Sequence, residues 1–230
     1  MPPQLYVIAG PNGIGKTTSA YDMVPANTPI INSDEIAAAV KNAGIVTANA
    51  QEYGNREAAK MIDDYMSQRS SFAMETNLAD TETWKFLAGI QKTGYEVNLL
   101  YLSCDDLSLL NSRIEQRALA GEHFIRPDIV AERYINGLKL LEHYFTVPDT
   151  LQLFDNSESP QQMAEVHKGT VVMLADKLPN WVTAHFAQAL GLAEKKVAQN
   201  LGELKSVGDV RKAYEALQQK NTPKKKGPRL

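Results

Sequence analysis

Short apolar runs alternate with amphipathic stretches along most of the chain. Runs rich in Val, Ile, Leu and Phe predict buried strands at 5–9, 29–32, 71–75, 96–103 and 151–154, with a weaker candidate at 170–174. Helical periodicity fills most of the intervals, over 47–69 with a break or bend near Gly54, and over 81–92. This alternation predicts an α/β fold with a mostly parallel sheet of five to six strands, covered by helices on both faces.

A long interval separates the last two clear strands. It spans about forty-five residues, more than one crossover helix requires, and predicts two helices at 106–119 and 127–145. We therefore predict a main domain over 1–178 with a helical lid insert at about 106–145. Further helices are predicted over 181–190 and 193–219, in a C-terminal extension covering 179–219.

Composition fits one substantial α/β domain in 230 residues. There is no apolar run of eighteen residues and no basic segment followed by an apolar one at the start, so neither a membrane span nor a secretory signal is expected. Cys104 has no partner for a disulfide and is expected to be a small buried residue. Together these features predict a cytoplasmic location.

The charge is uneven along the chain. The net charge is −3, but residues 220–230 carry five Lys or Arg side chains and no acidic one, which leaves −8 for residues 1–219. A basic tail can contact nucleic acid. Its proline and glycine content favours a frayed, solvated terminus instead, so nucleic acid is not the expected partner.

The clearest chemical signal is Gly-Pro-Asn-Gly-Ile-Gly-Lys-Thr at residues 10–17. Its Gly-x4-Gly-Lys-Thr spacing is the Walker A pattern, in which backbone N–H groups surround phosphate, the lysine reaches the β- and γ-phosphates, and the threonine binds Mg²⁺. An apolar run precedes it and a helical stretch beginning at Thr18 follows it, as this motif requires. The predicted nucleotide-binding residues are Gly10, Pro11, Asn12, Gly13, Ile14, Gly15, Lys16, Thr17 and Thr18.

Two carboxylates follow predicted strands. Asp34 comes after the second strand, with Ser33 as the predicted N-cap, and could accept a proton from a substrate hydroxyl or simply complement the positive end of its helix. Glu75 ends the third strand and could hold substrate hydroxyls or water on Mg²⁺. It is equally explained as a polar residue at a strand end.

The lid insert is rich in arginine. Arg113 and Arg117 lie four residues apart on one helix face, and Arg126 and Arg133 follow. Arginine forks match the oxygens of a transferred phosphoryl group, although a surface ion pair is the alternative. His123 is expected to play a structural role. No guanine-reading Asn-Lys-x-Asp and no Leu-Ser-Gly-Gly-Gln occurs, which disfavours GTPases and ABC ATPases.

Several blocks resemble the zeta toxin family of P-loop kinases, in its single-domain bacterial subgroup. They are the Walker A block at 9–18, Asn-Ser-Asp-Glu-Ile-Ala at 32–37, the strand ending in Glu-Thr at 71–76, the arginine-rich lid, and Asp-Asn-Ser at 155–157. The resemblance implies a three-layer P-loop NTPase/kinase fold with ATP as donor. It further implies Asp34 as catalytic base, Glu75 in the substrate site and Asn156 near the nucleotide base, and makes an antitoxin protein a candidate partner.

For the best-known members of the family, the acceptor is the 3′-hydroxyl of the sugar in UDP-N-acetylglucosamine. The chain departs from the family at Glu122, Arg126 and Asn77, in the lid and beside the substrate site, which leaves the acceptor open.

We therefore predict an ATP- and Mg²⁺-dependent phosphotransferase acting on a hydroxyl of a small molecule, with a nucleotide sugar as the leading acceptor. A polynucleotide or nucleoside kinase and a non-catalytic nucleotide-binding regulator are the alternatives. The predicted catalytic residues are Lys16, Asp34, Arg113, Arg117 and Arg126. The predicted substrate-binding residues are Asp34, Glu75, Asn77 and Arg56, and the predicted metal ligand is Thr17.

Overall fold

The computed structural model describes residues 1–44, 49–119 and 124–192. The strands in these ranges are β1 (Gln4–Ala9), β2 (Ile30–Ile31), β3 (Phe72–Thr76), β4 (Glu96–Ser103), β5 (Thr150–Asp155), β6 (Gln161–His167) and β7 (Thr170–Leu174). The helices are α1 (Lys16–Ser19), α2 (Ser33–Asn42), α3 (Ala50–Ser67), α4 (Thr81–Lys92), α5 (Leu107–Leu119), α6 (Pro127–His143) and α7 (Asn180–Phe186). No described helix is long and apolar enough to cross a bilayer.

The strands form one sheet in the order β2-β3-β1-β4-β5-β6-β7. The pairs from β2 to β5 are parallel, and β6 and β7 are added antiparallel. The chain leaves β1 toward β2 on one side of the sheet and leaves β4 toward β5 on the other. The carboxyl ends of the neighbouring strands β1 and β4 therefore flank a topological switch point, where open α/β sheets bind ligands.

Both faces of the central strands are covered. Successive residues of a strand point to opposite faces, and both Val7 and Ile8 in β1 and both Leu99 and Leu100 in β4 are buried. This confirms the predicted α/β architecture. On one face, a buried cluster that includes Ile8, Leu102, Leu110 and Val130 joins the central strands to α5 and α6.

Within the described ranges the sheet has seven strands rather than the predicted five to six, because β6 was not predicted. Its residues are Gln-Gln-Met-Ala-Glu-Val-His, whose polar positions weaken the strand pattern, and it depends on non-local pairing with β5. Lys168 and Gly169 both have positive φ between β6 and β7, which is the conformation of a tight two-residue hairpin turn.

Two local expectations were wrong, and for a third, a break or bend near Gly54, the structure shows no break. The segment after the phosphate-binding loop is a four-residue helix followed by a 3₁₀ turn at Tyr21–Met23 rather than one helix. The N-cap of α2 is Asn32 rather than Ser33, since the Asn32 side chain accepts hydrogen bonds from the N–H groups of Asp34 and Glu35. Helix α3 is unbroken at Gly54, where it packs directly against the first turn of α2.

The described chain divides into two units, with the boundary between Asp176 and Lys177. In the second unit, α7 starts after Pro179, and the rings of Trp181 and Phe186 meet edge to face with centroids 6.2 Å apart. The predicted helix over 193–219 and the basic tail at 220–230 lie outside the described residues.

Candidate active site

The loop between β1 and α1 has a backbone that only glycine tolerates at three positions. Gly10, Gly13 and Gly15 have φ values of 140°, 79° and 89°. A Cβ atom at Gly10 would lie 2.2 Å from the carbonyl oxygen of Leu102, and one at Gly13 would lie 2.5 Å from that of Leu110. The loop is therefore held tightly against β4 and α5.

Most amide groups in the second half of this loop make no hydrogen bond to another described residue. Among the described residues, the N–H of Ile14 donates to the carbonyl of Pro11, whereas those of Gly13, Gly15, Lys16 and Thr17 have no protein acceptor. Successive N–H groups of this kind at a helix start form an anion-binding concavity. The residues present thus fit a bound phosphate group.

Lys16 lies at the centre of this concavity and is only 7% exposed. Its Nζ donates to the carbonyl oxygens of Gly10 (2.9 Å) and Pro11 (3.3 Å) and to Oδ1 of Asn77 (3.2 Å). It also lies 3.8 Å from the Glu75 carboxylate. The structure therefore brings three predicted site residues, Lys16, Asn77 and Glu75, into contact.

The pKa of Lys16 is lowered from its usual value, mainly by burial. The negative charges of Glu75 and Asp34 oppose this shift, and the positive charges of Arg117 and Arg133 add to it. Both acids and both arginines are therefore close enough to act on the lysine electrostatically.

Glu75 sits in a network of hydrogen bonds at the carboxyl end of β3. Its Oε2 accepts from the hydroxyl of Thr17 (2.9 Å) and from Nδ2 of Asn32 (3.1 Å). Asn32 also donates to the Tyr21 hydroxyl (3.0 Å), which donates to Glu35 (3.2 Å). Burial raises the pKa of Tyr21, so this phenol stays neutral and can donate.

The Thr17 hydroxyl and the Glu75 carboxylate are hard oxygen donors, the type that Mg²⁺ prefers. Within the described residues, no three His, Cys, Asp or Glu side chains are grouped to hold a metal ion. This donor set fits a Mg²⁺ ion held through few protein ligands together with phosphate oxygens and water.

Asp34 lies in the first turn of α2 and is exposed. Its Oδ1 accepts a hydrogen bond of 2.8 Å from Nε2 of Gln51 on α3. The same nitrogen donates to Oδ1 of Asn55 at 3.2 Å. Asp34 is thus oriented by α3 while its carboxylate remains open to solvent.

Arg113 does not point into the phosphate-binding loop. Its two terminal nitrogens donate to the carbonyls of Asn156 (3.0 Å) and Ser157 (2.8 Å), in the turn after β5. The buried Asn156 side chain in turn donates to the carbonyl of Ile14 (2.6 Å). Arg113 and Asn156 therefore link the insert to the loop through the β5–β6 turn.

The other arginines of the insert have different surroundings. Arg126 is 72% exposed and bonds to the carboxylate of Asp128, its neighbour at the start of α6. Arg117 is exposed on α5 and lies within electrostatic range of the loop lysine. Arg133, on α6, donates to Oδ1 of Asn12 in the phosphate-binding loop at 2.8 Å.

Two of the predicted site residues, Arg56 and Thr18, have exposed side chains. Arg56 is exposed, and its guanidinium lies over the Tyr53 ring at 5.5 Å from the centroid. Thr18 is exposed at the loop's end. His123 and Glu122 lie outside the described residues.

An open cleft of about 240 Å³ adjoins Glu75, between α3 and the ends of β2 and β3. Its lining combines apolar side chains, among them Ile31, Ile62 and Met74, with the polar side chains of Ser33, Asn55 and Glu75. Because Glu75 also contacts Lys16 and Thr17, the cleft lies next to the phosphate-binding loop. Its mixed lining suits a small group with both apolar and polar parts.

Sequence reasoning did not identify Asn32, Tyr21, Gln51 or Asn55 as site residues, and named Arg133 without assigning it to the site. Asn32 carried a signal, because asparagine is a strong N-cap residue directly before two acidic residues. The others reach the site through tertiary contacts between elements distant in sequence.

Comparison with known structures finds chains that share this fold. The crystal structure of AvrRxo1-ORF1:-ORF2 with ATP is similar, with a TM-score of 0.60 and 17% identity over 74% of this chain and 60% of that one. The chain thus spans less than two thirds of that relative. A structure of the PezAT toxin–antitoxin system of Streptococcus pneumoniae has a TM-score of 0.53 and 17% identity, covering 94% of this chain and 86% of that one.

Sequence comparison finds matches that cover a shorter part of the chain. An uncharacterized protein of Haemophilus influenzae is 29% identical over 127 residues, which cover 54% of this chain and 88% of that protein. Residues 5–141 match the profile of the AAA domain family AAA_33, which is more than half of the chain. The protein therefore belongs to this AAA domain family and has an α/β P-loop kinase fold.

Proposed function

We propose that this protein is an ATP-dependent phosphotransferase that moves the γ-phosphoryl group of ATP to a hydroxyl of a small molecule. One observation carries the proposal: Lys16 in the phosphate-binding loop contacts Glu75, and Glu75 also lines the adjacent cleft. A donor site and a candidate acceptor site thus share one carboxylate.

Lys16 and the free amides of the loop would hold the β- and γ-phosphates of ATP. Thr17 would be the direct ligand of Mg²⁺, and Glu75 would orient it by accepting the hydrogen bond from its hydroxyl. When bound, Mg²⁺ neutralises charge on the phosphate oxygens. Arg117 and Arg133, whose charges act on Lys16, would stabilise the transferred group, and Arg113 would position the turn beside the loop.

Asp34 would act on the acceptor. Its carboxylate accepts the proton of the attacking hydroxyl while the hydroxyl oxygen forms a bond to the γ-phosphorus. The bond from that phosphorus to the β–γ bridging oxygen breaks, and ADP leaves with the electron pair. The hydrogen bond from Gln51 supports this role, since it orients Asp34 without neutralising its charge.

The resemblance to zeta toxins supports a narrower proposal, a zeta-toxin-like kinase with an antitoxin partner. The PezAT system, which shares this fold, is a toxin–antitoxin system. A nucleotide sugar such as UDP-N-acetylglucosamine is the acceptor that this resemblance suggests.

The test supplies γ-labelled ATP and Mg²⁺ with panels of sugars, nucleotide sugars, nucleosides and oligonucleotides. We expect label in a small-molecule acceptor, and at least a hundredfold loss in Lys16→Ala and Asp34→Asn, on the order of the effect of a general base. Equal transfer by Asp34→Asn would remove Asp34 as base. Label in oligonucleotides alone would identify a polynucleotide kinase instead, and label in no acceptor would contradict the phosphotransferase.

A further inference from the structure

The ammonium group of Lys16 is bound by a residue from the neighbouring strand as well as by its own loop. An ammonium has three N–H donors. Here their acceptors are the carbonyls of Gly10 (2.9 Å) and Pro11 (3.3 Å) and Oδ1 of Asn77 (3.2 Å). The two carbonyls belong to the loop, whereas Asn77 follows β3, 61 residues further along the chain. The Asn77 amide therefore links the loop lysine to the carboxyl end of β3.

The turn that carries Asn77 is fixed by packing. Leu78 is fully buried and has a φ of 52°, a conformation that a bulky side chain rarely adopts. Its N–H donates to Oγ1 of Thr76 at 3.1 Å. The carbonyl of Asn77 lies against α6, 3.7 Å from where a Cβ atom of Gly137 would be. A strained residue persists only where its surroundings hold it, and such strain is concentrated at functional sites. The turn thus presents the Asn77 amide to Lys16 at a defined position.

Glu75 is the competing acceptor for the Lys16 ammonium. Its Oε1 lies 3.8 Å from Nζ, beyond hydrogen-bond distance, while its Oε2 accepts from Thr17 and Asn32. Opposite charges attract strongly in a partly desolvated site. Because Asn77 and the two loop carbonyls take the three N–H donors, the lysine stays off the carboxylate. Loss of the amide would free one donor to turn toward Glu75 and away from the phosphate position.

An uncharged acceptor suits this position. A lysine side chain loses considerable rotamer entropy when its head group is fixed. The Asn77 amide fixes the ammonium before a nucleotide arrives, so that this entropy loss does not weaken nucleotide binding. A carboxylate in the same place would add a negative charge beside Glu75 and the incoming phosphates. The amide orients the lysine without that repulsion.

We propose that Asn77 is a positioning residue for the nucleotide: its amide oxygen holds Lys16 where the β- and γ-phosphates bind and keeps it apart from Glu75. The inference rests on the nucleotide-binding half of the proposed function. It assigns Asn77 to the donor side of the site rather than to the acceptor side that the sequence suggests.

A double-mutant cycle on nucleotide binding tests the inference. Calorimetry with the full chain, Mg²⁺ and a non-hydrolysable ATP analogue compares the wild type with Asn77→Ala, Lys16→Ala and the double variant. We expect Asn77→Ala alone to weaken binding about tenfold, the lower end of what a hydrogen bond to a charged group contributes. In the Lys16→Ala background the same substitution should change the affinity by about twofold at most, because its partner is gone.

Two further variants serve as controls. Asn77→Ser keeps a polar side chain in the turn but ends one bond short of the amide oxygen, so it should weaken binding as Asn77→Ala does. Asn98→Ala removes another half-buried asparagine, whose Nδ2 donates to Gln4 at 2.8 Å. Asn98 lies opposite Tyr6, three residues or about 10 Å before the end of β1. Its loss should leave nucleotide binding unchanged.

Steady-state kinetics separates the donor side of the site from the acceptor side. With the acceptor that the transfer assay identifies, Asn77→Ala should raise KM for ATP about tenfold. It should lower kcat by a smaller factor and leave KM for the acceptor unchanged. A residue that binds the acceptor would show the opposite pattern.

The outcomes distinguish this inference from the proposed function. A loss of nucleotide binding in Asn77→Ala that disappears in the Lys16→Ala background supports the inference, even where no acceptor is labelled and the phosphotransferase is contradicted. Unchanged or tighter binding in Asn77→Ala, an equal loss in both backgrounds, or a rise in KM for the acceptor alone overturns the inference while the phosphotransferase stands. Failure of the wild type to bind either ATP or the analogue overturns both.

Discussion

The hydroxyl of Thr17 donates a 2.9 Å hydrogen bond to Oε2 of Glu75, across a gap of 58 residues in the sequence. The bond joins the end of the phosphate-binding loop to the carboxyl end of β3, because β3 is the parallel neighbour of β1. It uses the threonine proton and leaves the oxygen lone pairs free for a cation.

The first prediction concerns this pair. Glu75→Gln keeps the shape of the side chain but removes its charge, so we expect kcat to fall about 10- to 100-fold and the Mg²⁺ concentration needed for half-maximal activity to rise. Steady-state assays over a Mg²⁺ titration measure both. Glu82→Gln, which removes an exposed acid paired with Lys85, is the matched control. Unchanged kcat and Mg²⁺ dependence would remove Glu75 from the site.

Asn32 has two separable roles, as N-cap of α2 and as hydrogen-bond donor to Glu75. Asn32→Ser keeps a capping oxygen and loses the amide donor, whereas Asn32→Ala loses both. We expect the alanine variant to be about 1 kcal/mol less stable than the serine variant, and both to lose kcat to a similar extent. Urea unfolding and kinetics measure the two effects. A serine variant with wild-type kcat would show that the Glu75 contact is dispensable.

Arg113 is expected to act through position rather than through phosphate contact. Arg113→Ala removes two hydrogen bonds to the turn that supports the loop, so it should lower stability by about 1–3 kcal/mol and raise KM for ATP more than it lowers kcat. Arg69→Ala also removes an arginine bonded to a main-chain carbonyl, that of Thr93, but far from the loop. Its KM for ATP should stay normal. A pure loss of kcat in Arg113→Ala would instead indicate contact with the transferred group.

Two helical glycines should respond in opposite directions to alanine. A Cβ at Gly54 would lie 2.4 Å from the Ser33 carbonyl oxygen, so Gly54→Ala should destabilise the protein by about 1–3 kcal/mol. Gly89 in α4 has no atom within 4 Å of such a Cβ, and Gly89→Ala should stabilise by up to about 1 kcal/mol. Thermal unfolding of both variants checks the pair. Stabilisation by Gly54→Ala would mean that α2 and α3 pack less closely.

Cys104 should be unreactive in the native protein. Burial raises the pKa of its thiol to about 11, so at pH 8 only about one molecule in a thousand carries the thiolate that reacts. Thiol labelling with an aromatic disulfide at pH 8 should be slow in buffer and fast in urea. Rapid labelling of the native protein would contradict this burial.

Much of the fold followed from local pattern. The strands β1 to β5, the insert helices and the strand–loop–helix context of the Walker A motif were predicted because buried strands, amphipathic helices and glycine-rich turns each have a short-range signature. Strand β6 was missed because its polar residues become a strand only through pairing with β5.

The candidate site likewise has one part that the sequence predicts and another part that only the structure shows. The positions of Lys16 and Thr17 follow from the loop motif, since positive φ at Gly13 and Gly15 is a local backbone demand that the sequence states directly. The hydrogen-bond partners of the arginines do not follow from the sequence. Arg113, Arg126 and Arg133 look equivalent in the sequence. The packing of α5 and α6 decides that Arg113 donates to a pair of carbonyls and that Arg133 donates to Asn12.

By itself, the sequence determined that this chain folds as an α/β protein around a phosphate-binding loop, because those features depend on residues adjacent in the chain. The tertiary structure alone decided that Thr17, Asn32 and Glu75 share hydrogen bonds, and that a cleft adjoins Glu75. Such contacts join strands and helices tens of residues apart, and their distances are set by sheet order and helix packing rather than by local sequence.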